Sequence, residues 1–212
     1  MFSKLRNPFS GLSHLFAAIA AGIGLIALVI LGWGDVGREV SLVIYGLSLI
    51  VMFSASATYH MTLSTPKCIE ILRKIDHSSI YLLIAGTYTP ICFNWFNGFW
   101  KWGLLAIVWS LALIGVSFKV FVINTSRWVT AGIYLIMGWL CVIAVKEMLT
   151  VLPLGMLIWL LIGGIAFTLG AVVYMARIMD FVPGIFGFHE IWHIFVILGV
   201  AAHFTAIIGY IF

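Results

Sequence analysis

Residues 189 to 204 read HEIWHIFVILGVAAHF. The stretch is apolar enough to be a helix buried in lipid, yet it carries His189, Glu190, His193 and His203. An ionisable group at the centre of a membrane helix costs roughly 2.5 to 3.5 kcal/mol on insertion scales, so such groups mark a function unless their surroundings satisfy them. Residues four apart share one face of a helix. His189 and His193 can therefore offer two imidazoles to a single point, as in other helical H-x-x-x-H metal sites. His203 lies about 21 Å further along the axis than His189 at the usual helical rise and cannot reach the same ion. An internal hydrogen bond to a neighbouring helix is the first expectation for it, and a place in a polar cavity the second. Glu190 points away from the face shared by the two histidines.

The rest of the chain sets the environment. It has 212 residues, 64% hydrophobic and 8% charged, with a mean hydropathy of +1.20, whereas soluble domains carry roughly 25% charged residues. An integral membrane protein follows. The net charge of +4 and pI near 9.1 do not indicate nucleic acid, because the basic residues stand singly at the ends of apolar runs, where they orient spans. Cys68, Cys92 and Cys141 are far apart and form no CxxC or metal-type spacing, so they read as reduced fillers. Lys4 and Arg6 ahead of an apolar run resemble the start of a signal peptide, but the run from Leu12 to Leu31 exceeds a signal core of about 7 to 15 residues. It is the first span.

A bilayer core about 30 Å thick needs ~20 apolar residues per helix. Runs of that length lie near residues 12–32, 40–61, 77–95, 101–122, 128–146, 154–176 and 189–211, separated by GWGDVGRE, STPKCIEILRK, NWFNGFWK, NTSRW, KEMLTVLP and RIMDFVPGIFG, each rich in turn residues or charge. The fold expected is all-α: a seven-transmembrane helix bundle forming a single domain over residues 1–212. Of eleven Lys and Arg, Lys4, Arg6, Lys67, Arg73, Lys74, Lys119, Arg127 and Arg177 fall on the N-terminal side, and only Arg38, Lys101 and Lys146 on the other. The positive-inside rule then puts the N-terminus in the cytoplasm and the C-terminus outside. The expected location is the cell membrane, and the expected partners are membrane lipids.

That topology brings separate segments to one depth. Ser56 and His60 end the second span at its cytoplasmic side, Asp76 and His77 begin the third there, and His189 and His193 begin the seventh. His60, His189 and His193 with one open position match the layout of a catalytic zinc site, whereas a structural site is closed by a fourth protein ligand and usually uses cysteine. Asp76 has two readings, a fourth ligand or the base that holds and deprotonates a zinc-bound water; the second is preferred. Ser56, one turn before His60, can hydrogen-bond the water, the substrate or a ligand imidazole. His77 is expected to face the interface beside Asp76, and His14 to line the same cavity. Pro90 is expected to kink the third span, with Gly86, Thr87 and Thr89 suited to close packing and backbone repair. Gly163 and Gly164 suggest a helix contact. Trp33, Trp95, Trp100, Trp102 and Trp128 fit aromatic belts, and the basic stretch from Lys67 to Lys74 is expected to meet anionic headgroups.

Three blocks carry a resemblance: S-x-x-x-H from Ser56 to His60, KIDHSSIYLLIAGTYTP from Lys74 to Pro90, and HEIWHIFVILGVAAHF. Together with SGLSH in the first span they resemble, over essentially the whole chain, the hemolysin-III group of the progestin and adipoQ receptor superfamily. The resemblance implies a seven-helix bundle with a cytoplasmic-side zinc held by His60, His189 and His193, and Asp76 beside the zinc water. In the adiponectin-receptor branch this site is associated with ceramidase activity, and the wider superfamily includes alkaline ceramidases. A zinc-dependent hydrolase of a lipid amide or ester is therefore the first functional expectation. A receptor or membrane sensor with structural zinc is the second, and a pore-forming cytolytic protein the third; the last has little support in a chain without an amphipathic inserting segment.

Overall fold

In the computed structural model the described residues are 5–122, 125–182 and 185–211. They form seven helices and no strand: α1 Pro8–Gly32, α2 Val36–Met61, α3 Pro66–Trp95, α4 Gly98–Phe121, α5 Arg127–Val151, α6 Leu154–Ala176 and α7 Phe188–Tyr210. All but α3 are long and apolar enough to cross a membrane. Their outer faces carry exposed Phe16, Ile23, Ile30, Leu113, Ile136 and Leu161, a surface that water would penalise heavily and lipid does not.

The boundaries have local causes. Pro8 and Pro66 occupy first helical turns, where a missing N–H costs nothing. The Asp35, Thr65 and Ser126 side chains accept from the backbone N–H groups of Arg38, Cys68 and Val129, capping α2, α3 and α5. Because Thr65 and Pro66 start a helix so effectively, most of STPKCIEILRK is not a connection but the first turns of α3, with a Glu70–Lys74 ion pair at 3.2 Å one turn apart. KEMLTVLP likewise continues α5 as far as Val151 and breaks only at Leu152–Pro153. Within α5, Trp139–Ala144 tightens into a 3-10 turn. The Tyr88 hydroxyl serves the backbone there, donating to the Gly138 carbonyl at 2.8 Å and accepting from the Cys141 N–H at 2.9 Å. Lys4, Asn124, Pro183 and Gly184, which entered the charge and break readings, lie outside the described residues.

From Asp76 onward α3 is heavily buried. Asp76, Ser78, Ser79, Tyr81, Leu83, Ala85, Gly86, Tyr88 and Thr89 are all enclosed. Pro90 stands in its interior, and nearby backbone carbonyls are served by side chains: Thr87 donates to Leu83, Thr89 to Ala85 and Asn94 to Pro90. Gly86 lies against Ser48 of α2. α1 packs on α2 and α7, α2 on α3, and α6 on α7; α5 closes the ring between α3 and α6 by a thinner contact, while α4 packs on the outside of α3.

This ring encloses a cavity of about 190 Å³. One face of α3 lines it from Asp76 through Ile80, Leu83, Thr87 and Ile91 to Phe96 just past the helix end, a run of about 30 Å at the helical rise. Ser56, His60, Asp76, His189 and His193 line the cavity, and so do Thr87, Tyr88 and His203.

Candidate metal centre

His60 closes the last turn of α2, while His189 and His193 occupy the first two turns of α7. Their Nε2 atoms converge. The His60 to His189 separation is 3.5 Å and the His189 to His193 separation 3.3 Å; ligand atoms from all three lie within 4.8 Å of one another. Metal–nitrogen bonds of about 2.05 Å in a tetrahedron give nitrogen–nitrogen edges of roughly 3.3 Å, so two of the three edges already have the size a bound ion requires. The ring centroids stand 4.7 to 5.1 Å apart. His60 and His193 are each 2% exposed, and His189 is half-buried. A buried group of this geometry, with nitrogen donors and no thiolate, can hold a metal ion.

The other expected residues fall around it. Asp76 and Ser56 are buried, line the same cavity as the three histidines, and are hydrogen-bonded to each other. The Ser56 hydroxyl thus has the Asp76 carboxylate as a partner, one not anticipated for it. His14 lines the cavity as expected, its ring 4.0 Å from that of His193 and edge-on to Phe53. Glu190 is turned away from the cluster as expected, accepting from Ser10 Oγ at 3.1 Å and from the Gly187 N–H at 3.0 Å, which caps α7. His203 bonds to the Leu160 carbonyl at 3.1 Å, the internal partner anticipated for it, and its ring packs on Gly163.

One expectation is corrected. His77 does not face the interface; it lines the cavity, its backbone carbonyl accepting from the Tyr134 hydroxyl at 2.8 Å. The rotation of about 100° per residue that buries Asp76 leaves its neighbour directed sideways into the ring, not outward. Lys119 stands in the last turn of α4, the span-end position expected for it, but there it is 1% exposed, its ammonium donating to Thr125 Oγ1 at 2.7 Å and Thr130 Oγ1 at 2.8 Å. A long stem can turn inward when hydroxyls wait at its tip, and nothing in a helical pattern announces that.

Asn7 was missed altogether. Its side-chain amide lies 3.1 Å from His60 Nδ1, and its backbone N–H donates to the His60 carbonyl at 2.9 Å. In sequence Asn7–Pro8 signals only a turn or helix start.

Residues 2–204 match the family model described as Haemolysin-III related. The chain belongs to the haemolysin-III family. Among relatives of this family it is similar to the "Hemolysin-3 homolog" of Bacillus subtilis, 38% identical over 99% of this chain and 96% of the relative. It is also similar to "Hemolysin-3" of Bacillus cereus, 34% identical over 95% of this chain and 90% of that one. A more distant relative is the human "Monocyte to macrophage differentiation factor", 29% identical over 94% of this chain and 82% of the relative. Family membership and six apolar membrane-length helices make this haemolysin-III chain a multi-pass protein of the cell membrane.

Proposed function

We propose that this haemolysin-III protein is a zinc-dependent membrane hydrolase that cleaves a lipid amide or ester near the cytoplasmic face. The observation that carries the reading is a cluster of three imidazole donors lining the same long, mostly apolar cavity as Asp76. Such a shape suits an amphiphile whose scissile linkage lies beside the histidines and whose chain extends along α3.

Zn²⁺ bound by the three imidazoles supplies Lewis acidity. His60, His189 and His193 bind and orient it from two helices. Asp76 accepts the proton that water gives up on attacking the acyl carbonyl and returns it to the departing amine or alcohol as the C–N or C–O bond breaks. Ser56 holds the Asp76 carboxylate in place through their hydrogen bond. The walls contributed by Ile80, Leu83, Phe167 and Val196 exclude bulk water from the acyl chain.

In this reading all seven helices span the membrane as one bundle, α3 included. The segment from His77 to Trp95 suffices to cross, and the Lys67 to Lys74 turns project into the headgroups. The charge asymmetry supports a cytoplasmic N-terminus and an outward C-terminus. The test is hydrolysis of a panel of acyl amides and esters, ceramides included, by purified zinc-loaded protein beside its Asp76→Asn variant. Fatty-acid release by the wild type alone supports the proposal; equal, background release by both, with zinc bound, removes it and leaves a structural metal.

A further inference from the structure

The first turn of α1 is built unusually. Asn7 is the N-cap residue of the helix, yet its side chain makes no capping bond, the role for which asparagine is favoured at that position. The amide is instead directed at His60 Nδ1, 3.1 Å away. Several contacts hold it there: the Asn7 N–H donates to the His60 carbonyl at 2.9 Å, the Arg6 guanidinium lies 4.0 Å over the Tyr59 ring, and Gly11 packs so closely on Met61 that a Cβ would overlap that side chain. One turn on, Ser10 is buried and donates to Glu190, the residue after His189.

The chemistry of the imidazole decides what this contact means. A neutral histidine that ligates through Nε2 carries its proton on Nδ1, and that N–H needs an acceptor. With Nδ2 facing Nδ1, the amide donates and the ring proton sits on Nε2, which then has no lone pair to offer. A half-turn about the Asn7 Cβ–Cγ bond exchanges the two ends of the amide, two groups of nearly equal size, and presents Oδ1 to Nδ1–H. We infer that Asn7 is the positioning residue of His60, its amide oxygen accepting from Nδ1–H so that Nε2 is held unprotonated and aimed at the metal. The inference rests on the metal site of the proposed function, and it assigns α1 a part in that site although α1 supplies none of the three imidazoles.

Two substitutions separate this role from helix capping. Serine caps as well as asparagine but is too short to reach His60. Aspartate caps and also accepts, as in carboxylate–histidine–zinc arrangements. Zinc affinity of the intact, detergent-solubilised protein is measured by competition with a chromophoric chelator, alongside the visible spectrum of the Co²⁺-substituted protein and helical circular dichroism. Asn7→Ser should weaken zinc binding about 10- to 100-fold, the usual effect of losing an outer partner, and should weaken the tetrahedral Co²⁺ bands. Asn7→Asp should bind as tightly as the wild type or more so. Wild-type affinity in Asn7→Ser, or equal weakening in both variants, overturns the inference while leaving the metal site standing. A wild type that takes up neither ion overturns the site and the inference together.

Discussion

The two ends of α7 hold the same kind of residue under opposite conditions. At its far end His203 is a solved problem: one ring nitrogen meets the Leu160 carbonyl at 3.1 Å, and the ring fills the space left by Gly163. At its beginning His189 Nε2 stands 3.3 Å from that of His193 and 3.5 Å from that of His60. There imidazoles meet imidazoles, long for a hydrogen bond between nitrogens and close to what a shared ion requires. A buried histidine is thus not a metal signal in itself. What separates the two ends is whether the neighbouring helix offers a carbonyl or further ring nitrogens.

The largest expected effect tests that contrast directly. Replacing His189 and His193 by alanine should take zinc from about one per chain to background in elemental mass spectrometry, while His203→Ala retains it. Loss of zinc in both variants would erase the distinction. Next in size, Asp76→Asn should keep its zinc and lower lipid hydrolysis by roughly 10²- to 10⁴-fold, the range for a general base; release of the metal would instead make Asp76 a ligand. Ser56→Ala, which removes the hydrogen bond holding that carboxylate, should lower turnover by a smaller factor, about 10-fold, with zinc unchanged. A turnover as low as that of Asp76→Asn would put Ser56 in direct contact with the reacting atoms.

The smallest effect belongs to the structural end. A Cβ on Gly163 would meet the His203 ring and stand 3.0 Å from the Gly199 carbonyl, so Gly163→Ala should destabilise the protein by about 1 to 3 kcal/mol, read as a lowered thermal midpoint. In a His203→Ala background the added methyl group should cost less, since much of the clash is with that ring. Equal cost in both backgrounds would place the strain on the backbone of α7 instead.

α3 shows how far hydropathy carries and where it stops. Its Lys67, Glu70, Arg73, Lys74 and Asp76 read as a break followed by a short span. A capping threonine and a proline at the first turn make one helix of thirty residues, whose first turns keep Lys67 and Glu70 exposed while Asp76, Ser78, Ser79 and Thr89 further along are buried. Local signals of that kind were legible. The inward turn of Lys119 toward Thr125 and Thr130, and the engagement of Ser56 with Asp76, were not, because each depends on which partner stands opposite.

By itself the sequence determined the all-helical membrane class, since the length and apolarity of a helix that lipid can hold are local properties of the chain. It also determined that His189 and His193 share a face, because four residues make about one helical turn. Charge asymmetry further suggested that His60 and Asp76 lie at the same depth as that pair. Only the tertiary structure decided that the Nε2 atoms meet at bonding separation, that one face of α3 lines a cavity leading away from them, and that Asn7 reaches His60. Those are distances between helices, set by how small residues such as Gly11 and Gly86 let backbones approach, and no periodicity within a single helix records them.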